Sequence, residues 1–431
     1  MAILTLTSTN PKFSYIIAKN PATIRDSGKP FQRELRQGQL YGWFSADDQT
    51  FRLWFKDHPT RSSFADGVLS EFEYLDMTRY ASPYLPIQMI QTALASASKA
   101  QHEDDTAAEF ETSATVTILA PARTLMNSLA KHYSKVATVA LVDIANGFVK
   151  VTVTSPTVFQ TLNILQTLCI LQAMQDKGSY VRLDKPALEK YLRVLSSSDA
   201  PYFVRYLFAS RAVSDRGTFN TIRERIQGPG MTMFYGDTRR QRFDAIKGNL
   251  TGGHTLLDIG CGEMFYSLRL SSKYAEVWAI DADEELVGIN ARKITARKVE
   301  NIGSECAEVD SKWVSDRNSI LQGSDVLMTE VLEHMPRHHA ESLLVALLKS
   351  EARKIVVTVP NANFNKHYGL EGAFRHDDHQ FEPTFEDWCD DMVTLADFYG
   401  WKVDNLPIGD IVGDQSVSTM SVFTRTDNVA V

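Results

Sequence analysis

The chain has 431 residues, enough for two or more domains, and its 44% hydrophobic and 23% charged content is ordinary for a globular protein with a sizeable core. With 45 basic and 53 acidic side chains the net charge is -8, which excludes a general cationic binder of nucleic acid and confines any such recognition to a local feature such as a chain end. Cys169, Cys261, Cys306 and Cys389 are scattered without a CxxC pair, which argues against a disulfide framework or a cysteine zinc site.

In chain order, the opening MAILTLTSTNPKF has neither the basic start nor the apolar core of a signal peptide, and Ala2 to Thr9 alternates like a strand. Gly42 to Lys56 reads as two strands around the turn Ala46-Asp47-Asp48, and Tyr84 to Lys99 as helix. The polar, acidic run Gln101 to Thr115 reads as an exposed loop. Lys150 to Thr154 is strand-like. Thr157 to Met174 has helical periodicity, and its apolar run is interrupted by Gln160, Thr161, Asn163, Gln166, Thr167 and Gln172, so it is no membrane span. Two further helices are expected over Lys185 to Leu195 and Tyr202 to Ala209. This α+β texture ends near Gln227-Gly228-Pro229-Gly230, which sets the expected domains at 1–235 and 236–431. A soluble, cytoplasmic protein without membrane association is expected.

From Arg240 the pattern becomes alternating. Helical Arg240 to Gly248 leads to strands Thr255 to Ile259, Val277 to Ile280, Asp325 to Thr329 and Lys354 to Val359, with helices between them and Asp310 placed after a third strand. Strand-like Trp401 to Pro407 and Ser418 to Thr424 follow. That order predicts an α/β domain with a Rossmann-like, mostly parallel seven-stranded sheet and helices on both faces.

The first of these strands runs Leu256-Leu257-Asp258-Ile259 into Gly260-Cys261-Gly262-Glu263. Gly260 and Gly262 permit a tight turn and close approach of backbone to a ligand at the carboxyl edge of the sheet. The next strand closes on Asp281, an acid placed to take a ribose diol. Phe265 stands where a dinucleotide fingerprint would have its third glycine. The D-x-G-C-G-E pattern instead resembles motif I of class I methyltransferases. By that resemblance Asp258, Gly260, Gly262 and Asp281 contact S-adenosylmethionine, and Asp310 sits near its adenine.

The fourth strand ends in Glu330-Val331-Leu332-Glu333-His334. If a helix starts there, its i, i+3 and i+4 positions bring two carboxylates and an imidazole to one side. Such a set suits Mn²⁺, Fe²⁺, Zn²⁺ or, less well, Mg²⁺. A second polar cluster, Phe374 to Glu382, follows Val359 to Asn365 at the end of the fifth strand, so both clusters emerge on the ligand-binding edge. His338 and His339 read as surface residues.

TEVLEHM (Thr329 to Met335), VTVPNANFN (Val357 to Asn365) and FRHDDHQFE (Phe374 to Glu382) together resemble the HEN-type methyltransferases, which methylate the 2′-oxygen of the 3′-terminal ribose of RNA. YGWKVDNLPIG (Tyr399 to Gly409) and STMSVFTR (Ser418 to Arg425) resemble the bacterial members, as do LTLTSTN, IIAKNP and the segment Val151 to Met174 in the N-terminal half. The resemblance implies a divalent metal, Mn²⁺ first and Mg²⁺ second, held by Glu330, Glu333, His334 and His379. It implies an RNA 3′ end with a free 2′,3′-diol as substrate, and an N-terminal domain that partners a kinase-phosphatase-ligase in RNA repair. Gln241 and Arg242 resemble a family Q-R pair lining the same site.

Proton removal falls to His334, His379 or metal-bound water. Arg375, His376 and Asn365 are candidates for the terminal phosphate or sugar, with Arg375 equally a structural partner for Glu382. Three departures stand out: Pro383 replaces the family's tryptophan, Met264 its glycine, and Val116 to Val149 is abbreviated and divergent. The alternatives are a methyltransferase acting on another substrate, and a ligase-activating subunit with weak or no transfer activity.

Overall fold

The computed structural model describes residues 2–35, 38–57, 80–175, 183–250, 252–370 and 372–425. The chain divides into two compact units, Met1–Pro229 and Gly230–Val431. Among the described residues no helix is long and apolar enough to cross a membrane.

The first unit is built on an antiparallel sheet. Its strands are β1 (Ala2–Ser8), β2 (Phe31–Leu35), β3 (Gly38–Phe44), β4 (Thr50–Asp57), β5 (Thr112–Leu119), β6 (Thr138–Ala145) and β7 (Phe148–Ser155), in the order β2-β3-β4-β1-β5-β7-β6. Alternation decides the buried face: Leu4 and Leu6 of β1, Ala114, Val116 and Ile118 of β5, and Val149, Val151 and Val153 of β7 are buried. The helix Val158–Ala173 lies against β5 and β7 and is buried almost all round. Its polar residues find partners inside: Asn163 Nδ2 donates to the Ser98 and Phe159 carbonyls, and Gln172 exchanges hydrogen bonds with the Ala122 backbone.

The expected loop Gln101 to Thr115 is corrected in two respects. Thr112 already belongs to β5, and Asp105, 1% exposed, accepts hydrogen bonds from Val158 N–H and Phe159 N–H at 2.8 Å each. An acidic residue in a polar run thus caps the central helix, a long-range contact that composition conceals. Tyr84 to Lys99 is two helices, Tyr84–Ala93 and Ala95–Lys99, parted at Leu94.

The second unit carries β8 (Met231–Thr232), β9 (Gly253–Ile259), β10 (Tyr274–Asp281), β11 (Ile302–Cys306), β12 (Asp325–Thr329), β13 (Lys354–Pro360), β14 (Trp401–Val412) and β15 (Gln415–Arg425). The order is β11-β10-β9-β12-β13-β15-β14-β8. β9 to β13 pair in parallel, while β15, β14 and β8 pair antiparallel. The expected seven strands are there, and the two-residue β8 adds an eighth at the edge. Successive residues face opposite layers: Leu257, Val326 and Val357 pack with the helices Arg337–Lys349 and Phe385–Tyr399, and Leu256, Leu327 and Val356 with the helix Thr238–Asn249. β10 lies on one side of β9 and β12 on the other, so the strand order reverses at β9 and opens a crevice at its carboxyl end.

Candidate active site

The turn after β9 fills that crevice's floor. Gly260 N–H and Cys261 N–H both donate to the Ile280 carbonyl, at 2.8 and 3.0 Å, stitching the turn to β10. Gly260 has φ +68, and a Cβ there would run into the Val331 side chain. Gly262 has φ +50 with open space beside it, and its N–H donates to Asp281 Oδ2 at 2.7 Å. Asp283 N–H donates to the other Asp281 oxygen. Asn290, which no local pattern singles out, braces the turn by donating to the Gly262 carbonyl at 2.7 Å.

Asp258 lies beneath the turn, 1% exposed, and accepts from the N–H and hydroxyl of Ser267. Burial pushes its carboxyl up to about 6. Asp310 caps the helix Ser311–Asp316 through Trp313 N–H at 2.7 Å, on the loop leaving β11. Gly262 and Asp281 are therefore directly joined, Gly260 is tied to the adjoining Ile280, Asp258 supports the turn from below, and Asp310 heads a neighbouring loop. Met264 is fully buried at φ +60, the left-handed residue ahead of the helix Phe265–Leu270. A glycine adopts that conformation freely; methionine does so at about 1–2 kcal/mol, offset by burying its side chain beside Ile246, Leu250 and Leu270.

The acidic cluster departs from the expected helix. Glu330 is left-handed at φ +55, Leu332–His334 is a single 3-10 turn, and the α-helix begins only at Arg337. Positive φ at a non-glycine residue marks strain of the kind stored at functional sites. The turn sends Glu330 and Glu333 to different surroundings. Glu330 Oε2 meets Arg242 Nη1 at 2.7 Å and Oε1 accepts from the Thr358 hydroxyl at 3.1 Å. Glu333 is fully buried, and neither of its oxygens has a hydrogen-bond partner among the described residues. Burial, reinforced by the charge of Glu330, drives its carboxyl well above the usual range.

One ligand atom each from Glu333, His334 and His379 lie within 4.8 Å of one another. Gln380 draws the two loops together: its N–H donates to the Glu333 carbonyl at 2.7 Å and its side chain to the His334 carbonyl at 2.9 Å. His379 is buried with Nδ1 hydrogen-bonded to Glu382, which leaves Nε2 as its ligand atom, the arrangement in which a second carboxylate orients a metal-binding imidazole. His334 is exposed and shares Nδ1 with Asp378 at 3.0 Å. Two imidazoles and an orphaned buried carboxylate fit a divalent cation, which would satisfy Glu333 and favour its charged form. Three of the four expected ligands converge, and Glu330 is instead engaged by Arg242.

The substrate-side candidates separate as well. Arg375 donates through its guanidinium to Asn365 Oδ1 and to the Asn361 and Val417 carbonyls, and through its N–H to Glu382. Asn365 in turn donates to Glu382 and the Ala373 carbonyl. Both hold Glu382, whose side chain is completely buried, and so hold His379. Gln241 is buried and donates to the Phe234 and Gly236 carbonyls. His376 stays exposed, its ring 5.1 Å from that of His379. Glu382 is the hub: the sequence offered it as a structural partner for Arg375, and its i+3 spacing from His379 was the available signal for its second contact.

The strand order, the glycine turn and the acid closing β10 make the second unit a Rossmann-like domain of the class I methyltransferase fold. The chain belongs to the Hen1 family: residues 3–229, more than half of it, match the Hen1 N-terminal domain. A small RNA 2′-O-methyltransferase of Xenopus tropicalis is 23% identical over 183 residues, 39% of this chain and 49% of that protein, so the chain spans about half the length of this curated relative. A chain in the structure of the Pnkp1/Rnl/Hen1 RNA repair complex superposes with a TM-score of 0.77 at 24% identity, covering 98% of this chain and 100% of that one. A second structure of the Pnkp1/Rnl/Hen1 complex gives 0.74 at 23% identity, with the same coverage. At such identities the likeness shows the fold.

Proposed function

We propose that the chain transfers a methyl group from S-adenosylmethionine to the 2′-oxygen of the 3′-terminal ribose of RNA, with a divalent cation, in RNA repair. The observation that carries this reading is the orphaned Glu333 carboxylate converging with His334 and His379 against the Gly260 turn. Val331, which the turn touches, lies between Glu330 and Leu332, so the cofactor turn and the candidate cation ligands share one crevice.

A ribose hydroxyl is a poor nucleophile at neutral pH. A bound cation, Mn²⁺ or less favourably Mg²⁺, supplies Lewis-acid activation of that hydroxyl. The chain's own residues do the rest. Asp281 and the glycine turn hold the cofactor's ribose. Glu382 fixes the His379 ring, with Arg375 and Asn365 fixing Glu382. His334, 40% exposed, has the access to solvent that release of a proton requires. His376, exposed beside His379, is our candidate contact to the terminal nucleotide. A cation held by Glu333, His334 and His379 would favour a terminal ribose with both hydroxyls free over an internal one, and the 2′-OH selects RNA over DNA.

We assign partner binding to the first unit, Met1–Pro229, with a kinase-phosphatase-ligase as the partner; the family match and the likeness to a chain of an RNA repair complex support it. The test of the reaction is transfer of labelled methyl to a short RNA, with and without Mn²⁺, beside the same RNA ending in 2′-deoxy or 3′-phosphate. Metal-dependent labelling of the free-diol RNA alone, with gained resistance to periodate, is expected. Cofactor binding without labelling under any metal would favour a methyltransferase acting on another substrate or a ligase-activating subunit.

A further inference from the structure

The first turn of the helix Thr238–Asn249 brings Arg239, Arg240, Gln241 and Arg242 to the carboxyl edge of the sheet. Arg242 turns inward to Glu330. Arg239 and Arg240 turn outward and are exposed. The Arg239 guanidinium lies 5.3 Å from the centre of the Phe265 ring, and exposed Arg269 lies 3.8 Å from the same ring. Arg240 lies 5.2 Å from the ring of Tyr235. Arg239 faces Glu263 at 3.7 Å, but neither Arg240 nor Arg269 has a carboxylate within ion-pair distance among the described residues. In a chain of net charge -8 this is a local excess of cations.

The group is tied to the reaction site. The Tyr266 hydroxyl donates to the Arg239 carbonyl and accepts from Arg242 Nε, both at 3.4 Å, and Arg242 is the partner of Glu330. Guanidinium planes over aromatic rings are the elements that hold single-stranded RNA, with phosphates on the arginines and splayed bases on the rings. A duplex end offers its bases to neither.

We propose that Arg239, Arg240 and Arg269, with the ring of Phe265, form the track along which the single-stranded RNA preceding the reacting 3′ nucleotide runs. This rests on the RNA-methylating reading above. It assigns the phosphates upstream of the reactive ribose to an outer strip, separate from the residues at the reaction centre.

The test uses the full chain and a 5′-fluorescein single-stranded RNA with a free 3′ diol. Binding is read by anisotropy across a salt series, and methyl transfer to the same RNA is read alongside. In R240A/R269A the affinity should fall about tenfold, and the slope of log affinity against log salt should flatten by about 1.4, near 0.7 for each phosphate no longer neutralised. KM for the RNA should rise by more than kcat falls. R240Q/R269Q, with side chains of similar reach, should repeat the loss, and the lysine pair should restore most of the slope. Affinity and slope equal to wild type in both the alanine and glutamine pairs, with wild-type methyl transfer intact, would overturn the track. Failure of the wild-type chain to methylate the RNA would instead overturn the reading beneath it.

Discussion

Glu333 is a fully buried carboxylate with no hydrogen-bond partner among the described residues, a state that costs several kcal/mol without a cation. Chelated Glu333→Gln should therefore melt no lower than wild type, because the substitution removes a buried carboxyl that has no partner among the described residues. Mn²⁺ at about 100 times its Kd should stabilise wild type by about 2.7 kcal/mol and leave the variant's transition in place. Methyl transfer should fall by about 100-fold or more. A metal-induced shift that survives the substitution would remove Glu333 from the ligand set. Asp258 makes a pH prediction. Its carboxyl titrates near 6 in the fold, raised from 3.8 by burial, so folding favours the neutral form. That contribution is fully present below about pH 4 and is lost as pH rises through about 6, amounting to about 3 kcal/mol. Asp258→Asn should flatten the dependence of melting temperature on pH between these limits, and an unchanged profile would contradict the assignment. Met264→Gly relieves a left-handed residue but empties a buried site, for a net loss of about 1–3 kcal/mol in chemical denaturation.

Single elements show where pattern sufficed. The parallel strands are legible because residues such as Ile355, Val356 and Val357 of β13 are apolar on both faces, and the glycine turn because Gly260 and Gly262 follow such a strand directly. The segment after β12 was not legible as a turn, because Glu330, Glu333 and His334 have helical spacing. The left-handed Glu330 is held by its N–H donating to the Thr358 carbonyl on β13, a contact between strands remote in sequence. β6 and β11 lack the apolar alternation that marks strands, being an exposed edge strand and a short one. Two changes test elements. Gly260→Ala should abolish cofactor binding measured by calorimetry, since a Cβ strikes Val331 and φ is positive. Asp105→Ala should cost about 2 kcal/mol by leaving the amides of Val158 and Phe159 unpaired in the core. A loss of a few tenths would deny it the capping role.

At the scale of the whole molecule, two compact units imply separable stabilities. Calorimetry of the full chain should show two transitions, with S-adenosylmethionine and Mn²⁺ raising only the one that belongs to Gly230–Val431. One transition that ligands move as a whole would show the units to unfold together. Local pattern alone was enough for the class of the second unit, the turn that ends β9, the acid that ends β10, and the two polar clusters, because strand periodicity and glycine stereochemistry act within a few residues. Which partners the clustered groups meet is decided only in the folded chain. Glu330 goes to Arg242 rather than to Glu333, His334 and His379, and Arg375 and Asn365 brace Glu382 instead of facing solvent. Those outcomes depend on which strands lie side by side and on which polar group lies within hydrogen-bond reach of another. Spacing along the chain does not carry that information, because burial and hydrogen-bond satisfaction are properties of the assembled fold.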